Sequence, residues 1–293
     1  MKLFILANPQ AGSKRAQALI QEICDTYPQL APTIFLTRGV DDEYRQIQAI
    51  LAEFEPVQDA LLILGGDGTL SKALTALPKN IPFAYFPTGS GNDFARTLAI
   101  KDIRQVMEAL IEKRTTPITV LQSNFGVVVN SLDLGFAAQV IAYSERSRTK
   151  RWLKTVGLGK IAYLLFGLRS LFGQSALSVQ VELDGERMHL DRLFFLSLAN
   201  NPYFGGGIMI WPDASPFQSQ LHLVWFATGS LFYRIKALLE MIFHRHKSSK
   251  IIHHREAKEV IVTTDKDLSI QIDGEVVEAS EIVLTCQERR IYR

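Results

Sequence analysis

The sequence predicts two kinds of domain in succession: an α/β domain with an open, mostly parallel sheet, followed by an all-β domain built as an antiparallel β-sandwich. Apolar runs alternate with segments of helical spacing over the first 110 or so residues. After about Thr116, strand-like segments follow one another with turn signals between them. We therefore place the α/β domain at 1–118 and the β-sandwich at 119–293, with the last strand as a candidate to return to the first domain.

The α/β prediction depends on four short apolar runs, each followed by a segment with helical spacing of its apolar residues. This alternation is typical of βαβ units on a parallel sheet. The four predicted strands are KLFILAN, TIFLT, ALLILGG and IPFAYFP. The helical segments after them begin at SKRAQALIQEICDTY, DDEYRQIQAILAEF, LSKALTAL and DFARTLAI, and IRQVMEALIEK follows the last of these.

The second half alternates apolar and polar residues, as half-buried antiparallel strands do. Two helical insertions interrupt this pattern, one near 150–172 and one near 230–245. The strand-like segments are NFGVVVNSLDLGF, ALSVQVELDGERMHLDRLFFLSLAN, QLHLVWFATG, EVIVTTDKDLSIQIDGEVVE and EIVLTCQ. A cleft between the two domains is the expected position of a binding site.

Composition narrows the class of protein. The chain has 293 residues, of which 47% are hydrophobic, and this is enough for a large core. Its net charge of +2 argues against a dominant nucleic-acid surface. The two cysteines lie in no metal-ligand spacing and favour free thiols in a reducing cytoplasm. Since no window offers about twenty uncharged apolar residues, we expect no transmembrane helix.

Three glycine-bearing corners stand where predicted strands meet predicted helices: NPQAGSKRA, GGDGT and PTGSGNDFAR. Ligands bind at the carboxyl ends of strands in open α/β sheets, and glycine lets a phosphate approach the backbone. Any one corner alone could be a plain turn. Neither a P-loop nor a GxGxxG fingerprint after the first strand is present.

Two carboxylates, Asp67 and Asp93, sit in the glycine corners where phosphates would lie. Anions beside a polyphosphate repel it unless a hard cation intervenes, and Mg²⁺ prefers oxygen ligands. The corners therefore predict a site for a nucleotide and Mg²⁺. Lys14, Arg15 and Arg96 could neutralise phosphate charge, although solvated charges at helix starts are the alternative, above all for Arg15.

These motifs together resemble the diacylglycerol kinase catalytic-domain family, which includes bacterial lipid kinases and, more distantly, sphingosine and ceramide kinases. GGDGT by itself is shared with NAD kinases and ATP-dependent phosphofructokinases, whereas the GxxND-x-AR element in PTGSGNDFAR is specific to the lipid branch. The resemblance extends over the second half through NSLDLGFAAQV, GLGKIAYLLFGLRSL, NNPYFGGGIMIWPDA and IQIDGE.

The resemblance implies a role for each matching residue. Asp67 and Asp93 belong to a water-linked Mg²⁺ network, Asp273 is the general base on the acceptor hydroxyl, and Glu275 supports Asp273 or the metal. Lys160 approaches the phosphates from the second domain. The residues implied to shape or line the ATP site are Asn8, Gly65, Gly66, Gly68, Thr69, Thr88, Gly91 and Asn92, with Lys14 and Arg96 as phosphate-neutralising candidates.

The activity implied by the resemblance is transfer of the ATP γ-phosphoryl group to the hydroxyl of diacylglycerol or a related lipid, with Mg²⁺. The implied partners are a lipid substrate at the inner membrane surface and, as one arrangement, a second copy of the chain. No nucleic-acid partner is expected. Two alternatives stay open: an NAD-type kinase, and a nucleotide- or lipid-binding relative with little turnover.

The sequence contains its own comparison for the proposed base. LDGE at 183–186 and IDGE at 272–275 both place Asp-Gly between alternating apolar residues, a strong hairpin signal. A hairpin turn is a sufficient explanation for Asp184 and could be sufficient for Asp273. Only the resemblance favours Asp273 as a catalytic residue.

Two segments depart from the family pattern. Thr119 stands where an acidic residue is expected, and Gln218 and Ser219 replace an Asp-Gly pair. Neutral side chains are poor substitutes for carboxylates at Mg²⁺. The first change could weaken the Mg²⁺ network and the second could remove a structural metal site, although Asp213 remains nearby as a metal candidate.

Two further segments have competing interpretations. The histidines in FHRHKSSKIIHHRE fit no familiar zinc spacing, and we interpret this segment as a solvated basic loop. The basic and apolar segment SRTKRWLKTVGLGKIAYLLFGLRSLFG could lie on an anionic membrane, or it could pack on the sandwich with its charges outside.

Overall fold

The structure is a computed structural model. It describes residues 1–12, 15–140, 171, 176–204 and 207–293.

The first domain contains a four-stranded sheet in which every pair is parallel, in the order β2-β1-β3-β4. Its strands are β1 (Leu3–Ala7), β2 (Thr33–Leu36), β3 (Ala60–Gly65) and β4 (Ala84–Pro87). Its α-helices are α1 (Arg15–Thr26), α2 (Glu43–Leu51), α3 (Asp67–Ala76), α4 (Asp93–Thr97) and α5 (Ile103–Ile111).

Continuous apolar sequence in β1 and β3 follows from burial on both faces of this sheet. Every residue of these two central strands is buried. One face packs in a core with residues of α2 and α3, and the opposite face packs against α1 and α5. The carboxyl ends of β1, β3 and β4 therefore meet at one edge, next to the three glycine corners.

The second domain is built from antiparallel pairs in the order β13-β12-β9-β7-β14-β15-β5-β6, with β8 paired to both β14 and β9. Its strands are β5 (Thr115–Ser123), β6 (Gly126–Val128), β7 (Ser131–Gly135), β8 (Leu177–Leu183), β9 (Glu186–Ala199), β10 (Tyr203–Phe204), β11 (Ile208–Met209), β12 (Leu221–Ala227), β13 (His253–Ala257), β14 (Glu259–Ile272) and β15 (Glu275–Tyr292). One described α-helix, α6 (Leu231–Ile242), follows β12.

The two long strands β9 and β14 explain how this sheet encloses a core. Near their C-terminal ends both pair with β7, and near their N-terminal ends both pair with β8. Apolar side chains from these strands, among them Val181, Leu196 and Val262, pack together inside.

The last strand, β15, reaches back to the first domain. The backbone amide of Phe83 donates to the carbonyl of Arg290 (3.1 Å), and the amide of Tyr292 donates to the carbonyl of Phe83 (2.8 Å). Ile291 is buried in the same core as Phe4 and Ile63.

Helix α3 is also bonded to the second domain along its length. Ser71 Oγ donates to the carbonyl of Val127 (2.5 Å), and the amide of Val127 donates to Thr75 Oγ1 (2.8 Å). At the C-terminal end of α3, the buried guanidinium of Arg289 donates to the carbonyls of Leu77 (2.9 Å) and Leu74 (2.6 Å). The cleft between the domains is thus held by specific polar contacts.

The predicted fold class, an α/β domain followed by an antiparallel β-rich domain, is confirmed. The helical insertion near 230–245 corresponds to α6, whereas the insertion near 150–172 lies outside the described residues. Since β5 runs through 118–119, the domain division placed there stays a prediction. None of the described helices combines the length and the apolar character that crossing a bilayer requires.

Candidate active site

The three glycine corners contact one another at the carboxyl edge of the parallel sheet. A Cβ built on Gly89 would lie 2.7 Å from Gly66 Cα and 2.9 Å from Asn92 Oδ1. Gly12 has a φ of 56° and packs directly against the carbonyl of Thr88. These corners can approach so closely because the contacting residues lack side chains.

Asp67 begins α3 and faces the third corner. Its Oδ2 accepts from the amide of Asp93 (2.8 Å), and its Oδ1 lies 3.4 Å from the hydroxyl of Tyr85. Burial raises the pKa of Asp67, and the nearby charge of Asp93 raises it further. Asp67 therefore sits where a cation would stabilise its ionised form.

Asp93 is buried, with 2% of its surface exposed, and starts the short helix α4. Its Oδ1 accepts from a guanidinium nitrogen of Arg96 at 2.5 Å. The same guanidinium lies 5.4 Å from the ring centroid of Tyr203 in the second domain. Arg96 is thus placed beside the predicted phosphate site and at the domain junction.

Two polar oxygens in these corners have no protein partner among the described residues. They are Thr88 Oγ1 and Asn92 Oδ1, and both are buried. By contrast, Asn8 is engaged, because its Nδ2 donates to Thr69 Oγ1 (3.0 Å) and its Oδ1 accepts from the amide of Gln10 (2.9 Å). A Cβ on Gly68 would meet no atom within 4 Å, so open space adjoins the first turn of α3.

The second domain contributes Asp273, in the turn between β14 and β15. Its Oδ2 accepts from the amide of Val129 (2.8 Å), and its Oδ1 accepts from the amides of Asn130 (2.8 Å) and Ser131 (3.3 Å). Burial raises the pKa of Asp273 to about 7, the backbone amides offset part of this effect, and the negative charge of Asp67 adds to it. The carboxylates of Asp67 and Asp273 therefore interact across the cleft.

Asn130 and Asn201 connect the first and second domains at the cleft, in addition to the site residues that the sequence predicts. The Asn130 side chain lies close enough to Asp67 to lower the pKa of that carboxyl, and the backbone amide of Asn130 donates to Asp273 Oδ1. Asn201 Nδ2 donates to Asn130 Oδ1 (2.5 Å), and Thr97 Oγ1 donates to Asn201 Oδ1. The signal available in the sequence was the asparagines that open NSLDLGF and NNPYFGGG.

The two Asp-Gly turns share their local geometry but not their surroundings. Asp184 and Asp273 have φ values of 48° and 46°, and each carboxylate accepts from consecutive backbone amides at the start of another strand. However, Asp184 is on the exposed surface, where it binds the amides of Lys258 and Glu259. Only Asp273 lies beside the glycine corners.

Glu275 and Lys72 form one wall of a cavity beside Asp273. Lys72 Nζ lies 2.5 Å from Glu275 Oε1 and 2.7 Å from Asp41 Oδ1. The cavity has a volume of about 250 Å³, and Phe125 and Val277 add apolar surface to its lining. No sequence motif marks Lys72, since a lysine on a helix is common and has no distinguishing neighbours.

The remaining predicted site residues lie elsewhere or outside the described part of the chain. Lys14 and Lys160 are outside it. Asp213 forms an ion pair with Lys247, at 2.6 Å, away from the glycine corners.

Thr119, one of the departures from the family pattern, is buried, and its backbone binds Pro216 and Asn200, while Gln218 is exposed. Gly65 is the last residue of β3. A Cβ added to Gly91 would lie 4.0 Å from Asp67 Oδ2.

Comparison with known proteins gives matches over almost the whole chain. The model for the diacylglycerol kinase catalytic domain matches residues 2–123, and that for the YegS C-terminal NAD kinase beta sandwich-like domain matches residues 130–289. The diacylglycerol kinase of Bacillus subtilis strain 168 is 26% identical over 279 residues, covering 92% of this chain and 88% of the relative.

Solved structures show the same fold. A structure from Bacillus anthracis strain Sterne, provisionally named a diacylglycerol kinase, has a TM-score of 0.77 and 21% identity, covering 99% of this chain and 94% of that one. An NAD kinase from Archaeoglobus fulgidus in complex with ATP has a TM-score of 0.54 and 12% identity, covering 99% and 93%. The chain belongs to the family that joins a diacylglycerol kinase catalytic domain to a YegS-type β-sandwich, and it is a kinase of the lipid kinase type.

Proposed function

We propose that the protein transfers the γ-phosphoryl group of ATP to the hydroxyl of diacylglycerol or a related lipid, with Asp273 as the general base. The observation that carries this proposal is the position of Asp273 in the cleft. It faces the glycine corners and interacts electrostatically with Asp67. The acceptor hydroxyl would then lie between a base on one domain and a nucleotide on the other.

The glycine corners fit a nucleotide. Thr88 Oγ1 and Asn92 Oδ1 are buried without protein partners among the described residues, and buried polar atoms are ordinarily hydrogen bonded. Gly68 leaves open space at the start of α3, where backbone amides and the helix dipole favour an anion. Gly65, Gly66 and Thr69 would shape the phosphate loop, and Arg96 would offset phosphate charge.

The carboxylates fit a hard divalent cation. Asp67 and Asp93 lie close enough for the negative charge of Asp93 to raise the pKa of Asp67, and a hard cation bound beside them would offset this repulsion. These two residues would hold Mg²⁺. When bound, Mg²⁺ neutralises phosphate charge that the carboxylates would otherwise repel.

Asp273 has the remaining hydrogen-bonding capacity that a general base needs. A carboxylate has about four lone-pair sites, and three backbone amides use three of those on Asp273. In the proposed reaction the acceptor oxygen forms a bond to the γ-phosphorus, and the bond from that phosphorus to the bridging oxygen breaks. The hydroxyl proton passes to Asp273, and ADP leaves.

The cavity beside Asp273 is the proposed position of the acceptor head group. Its volume of about 250 Å³ suits a polar head more than acyl chains. Lys72 fixes Glu275 at its edge. Glu275 would therefore support Asp273 through the shape and charge of this cavity.

The test is incubation of pure protein with labelled ATP and Mg²⁺, together with a panel of lipids in mixed micelles and, separately, NAD. Label in a lipid supports the proposal, and label in NAD supports an NAD-type kinase instead. ATP binding without transfer to any lipid would indicate a relative with little turnover and contradict the proposal.

Because the substrate lies in a bilayer, we further propose that α6 contacts an anionic membrane surface. Its outer side carries large apolar residues at helical spacing: Phe232 is 86% exposed, Ile242 57% and Phe243 68%. The opposite side packs on the β-domain through Ala237 and Met241. Exposed basic residues lie on the helix and just after it, namely Lys236, Arg245, Lys247 and Lys250, although Lys236 pairs with Glu240 and Lys247 with Asp213. An apolar helix face with cationic neighbours fits the interface of an anionic bilayer.

Co-sedimentation with phosphatidylglycerol and phosphatidylcholine vesicles tests this contact. We expect binding to the anionic vesicles and a large loss of it in the Phe232→Ser, Phe243→Ser double variant. Val57→Ser is the matched control, since Val57 is 84% exposed on the first domain. Equal binding by all three proteins would refute the contact, as would a wild-type dimer in light scattering that the double variant converts to a monomer.

A further inference from the structure

We propose a transition-metal site, suited to Zn²⁺, formed by His222, His254 and Glu256 on strands β12 and β13. It lies in the second domain and is separate from the glycine corners. The proposal is independent of the lipid kinase reaction, because none of its ligands contacts Asp67, Asp93 or Asp273 in the structure.

Strand pairing brings the three side chains to one face of the sheet. His222 on β12 is directly opposite Glu256 on β13, and His254 precedes Glu256 by two residues. Side chains two residues apart on a strand point to the same face. The sequence does not reveal that these three residues are neighbours, because His222 lies about thirty residues before His254 and Glu256.

The ligand atoms lie at distances close to those of a tetrahedral metal centre. His222 Nδ1 is 2.9 Å from His254 Nε2 and 3.7 Å from Glu256 Oε1. One ligand atom from each of the three residues falls within 4.8 Å of the others. With metal–nitrogen bonds of about 2.1 Å, tetrahedral ligands are about 3.4 Å apart, so small side-chain shifts suffice.

Packing and hydrogen bonding hold the two imidazole rings in position for metal binding. His254 stacks on Trp211 with ring centroids 3.8 Å apart and an angle of 9°, which fixes its orientation. His222 Nδ1 and His254 Nε2 face each other at hydrogen-bond distance, so a metal ion bound here would replace the proton that one of them donates to the other. Nδ1 is the nitrogen of His222 that faces the other two ligands, and Nε2 has no hydrogen-bond partner among the described residues.

Charge and access also favour a cation here. The carboxylates of Glu256 and Asp213 both act on the histidine pair, the latter from its ion pair with Lys247. His222 is fully buried, whereas the side chain of Glu256 is 46% exposed. A metal ion could therefore enter from the Glu256 side and keep water as a fourth ligand. Two histidines and one carboxylate are a typical donor set for Zn²⁺.

Calorimetric titration of tag-free, chelator-treated protein with Zn²⁺, in excess Mg²⁺ to occupy carboxylate sites, tests the proposal. We expect one Zn²⁺ per chain with a Kd of about 1 µM or tighter. Zn²⁺ should also raise the thermal unfolding temperature, and Co²⁺ should give a visible ligand-field absorption.

Matched variants locate the site. His254→Asn should weaken Zn²⁺ binding at least about tenfold, while His253→Asn, at the adjacent residue that stacks on Trp225, should bind as the wild type does. Glu256→Gln tests the exposed ligand in case the first variant unfolds, and should also weaken binding. No stoichiometric Zn²⁺ in the wild type, or unchanged affinity in both His254→Asn and Glu256→Gln, would overturn the proposal.

Discussion

At the scale of single residues, Asp273 shows how surroundings distinguish side chains with the same local structure. Asp184 and Asp273 occupy equivalent Asp-Gly turns with nearly equal φ values. Turn chemistry accounts for both, so the local sequence could not separate them. The difference comes from residues distant in the sequence, since Asn130 and Asp67 adjoin Asp273 alone.

Replacing the proposed base should remove most phosphoryl transfer. We expect Asp273→Asn to lower kcat by about 10²–10⁴, the usual contribution of a positioned general base. Asp184→Asn keeps a similar side chain in the equivalent turn and should retain wild-type kcat. Circular dichroism of both variants checks that the fold is intact, and a wild-type rate in Asp273→Asn would disprove its role as base.

The pH dependence of the rate should report the same carboxyl. Because the pKa of Asp273 is raised to about 7 and a base must be deprotonated, kcat/KM should rise with pH until it levels off above about 7. A profile that is flat from about pH 5 to about pH 8 would contradict this expectation.

Asp133 on β7 should make the protein less stable as pH rises. It is fully buried, accepts from Ser131 Oγ (2.8 Å), and burial raises its pKa from 3.8 to about 7. Since the folded state then holds the proton more tightly than the unfolded state, stability falls between about pH 4 and about pH 7. Asp133→Asn should remove that loss and stabilise the protein by up to about 4 kcal/mol near pH 8.

Urea unfolding at about pH 5 and about pH 8 measures this effect. The free energies of unfolding of Asp133→Asn and the wild type should be more similar at the lower pH, where Asp133 is protonated. The exposed Asp191 supplies the control, because Asp191→Asn should leave both values almost unchanged. Equal pH dependence in Asp133→Asn and wild type would refute the assignment.

At the scale of elements, the meeting of three loops determines the site more than any one loop does. Gly12, Gly66 and Gly89 follow three different strands, and their backbones touch. The backbones can touch only because these residues have no side chains. This explains why the three loops contain more glycines than their turns alone would need.

Two glycine substitutions should separate folding from nucleotide binding. Gly89→Ala places a Cβ 2.7 Å from Gly66 Cα and should cost about 1–3 kcal/mol of stability. Gly68→Ala meets no protein atom within 4 Å, so stability should change little while the KM for ATP rises. Thermal unfolding and steady-state kinetics measure the two effects, and an unchanged KM in Gly68→Ala would argue against a phosphate beside α3.

The elements themselves could largely be predicted from the sequence. Short apolar runs identified β1 to β4, and in the central strands β1 and β3 burial on both faces leaves no polar position. Lys72 and the His222–Glu256 pairing could not be found this way, since each depends on contacts between segments far apart in the chain. The same holds for Asn130, whose role becomes visible only when β7 lies beside α3 and β14.

At the scale of the whole molecule, Arg289 couples the two domains. It is 3% exposed and binds two carbonyls at the end of α3, the helix that Asp67 begins. Burial lowers its pKa to about 10, so it remains charged near pH 7 and complements the negative end of the helix dipole.

Removal of this charge should destabilise both domains together. Arg289→Met leaves two carbonyls unpaired and should cost about 3 kcal/mol. Arg290→Met changes the exposed neighbour, which binds Thr115 Oγ1, and should cost under about 0.5 kcal/mol. Calorimetry should show one unfolding transition for the wild type, and equal stability of the two variants would contradict this role of Arg289.

The return of β15 to the first domain also affects biosynthesis. The ribosome makes the glycine corners early, but Ile291 and Tyr292 complete the two cores on either side of the parallel sheet. The nascent α/β segment therefore lacks part of its hydrophobic interior until the codons for these residues have been translated. The first domain can therefore reach its native state only after elongation has passed Tyr292, long after its own strands and helices have left the exit tunnel.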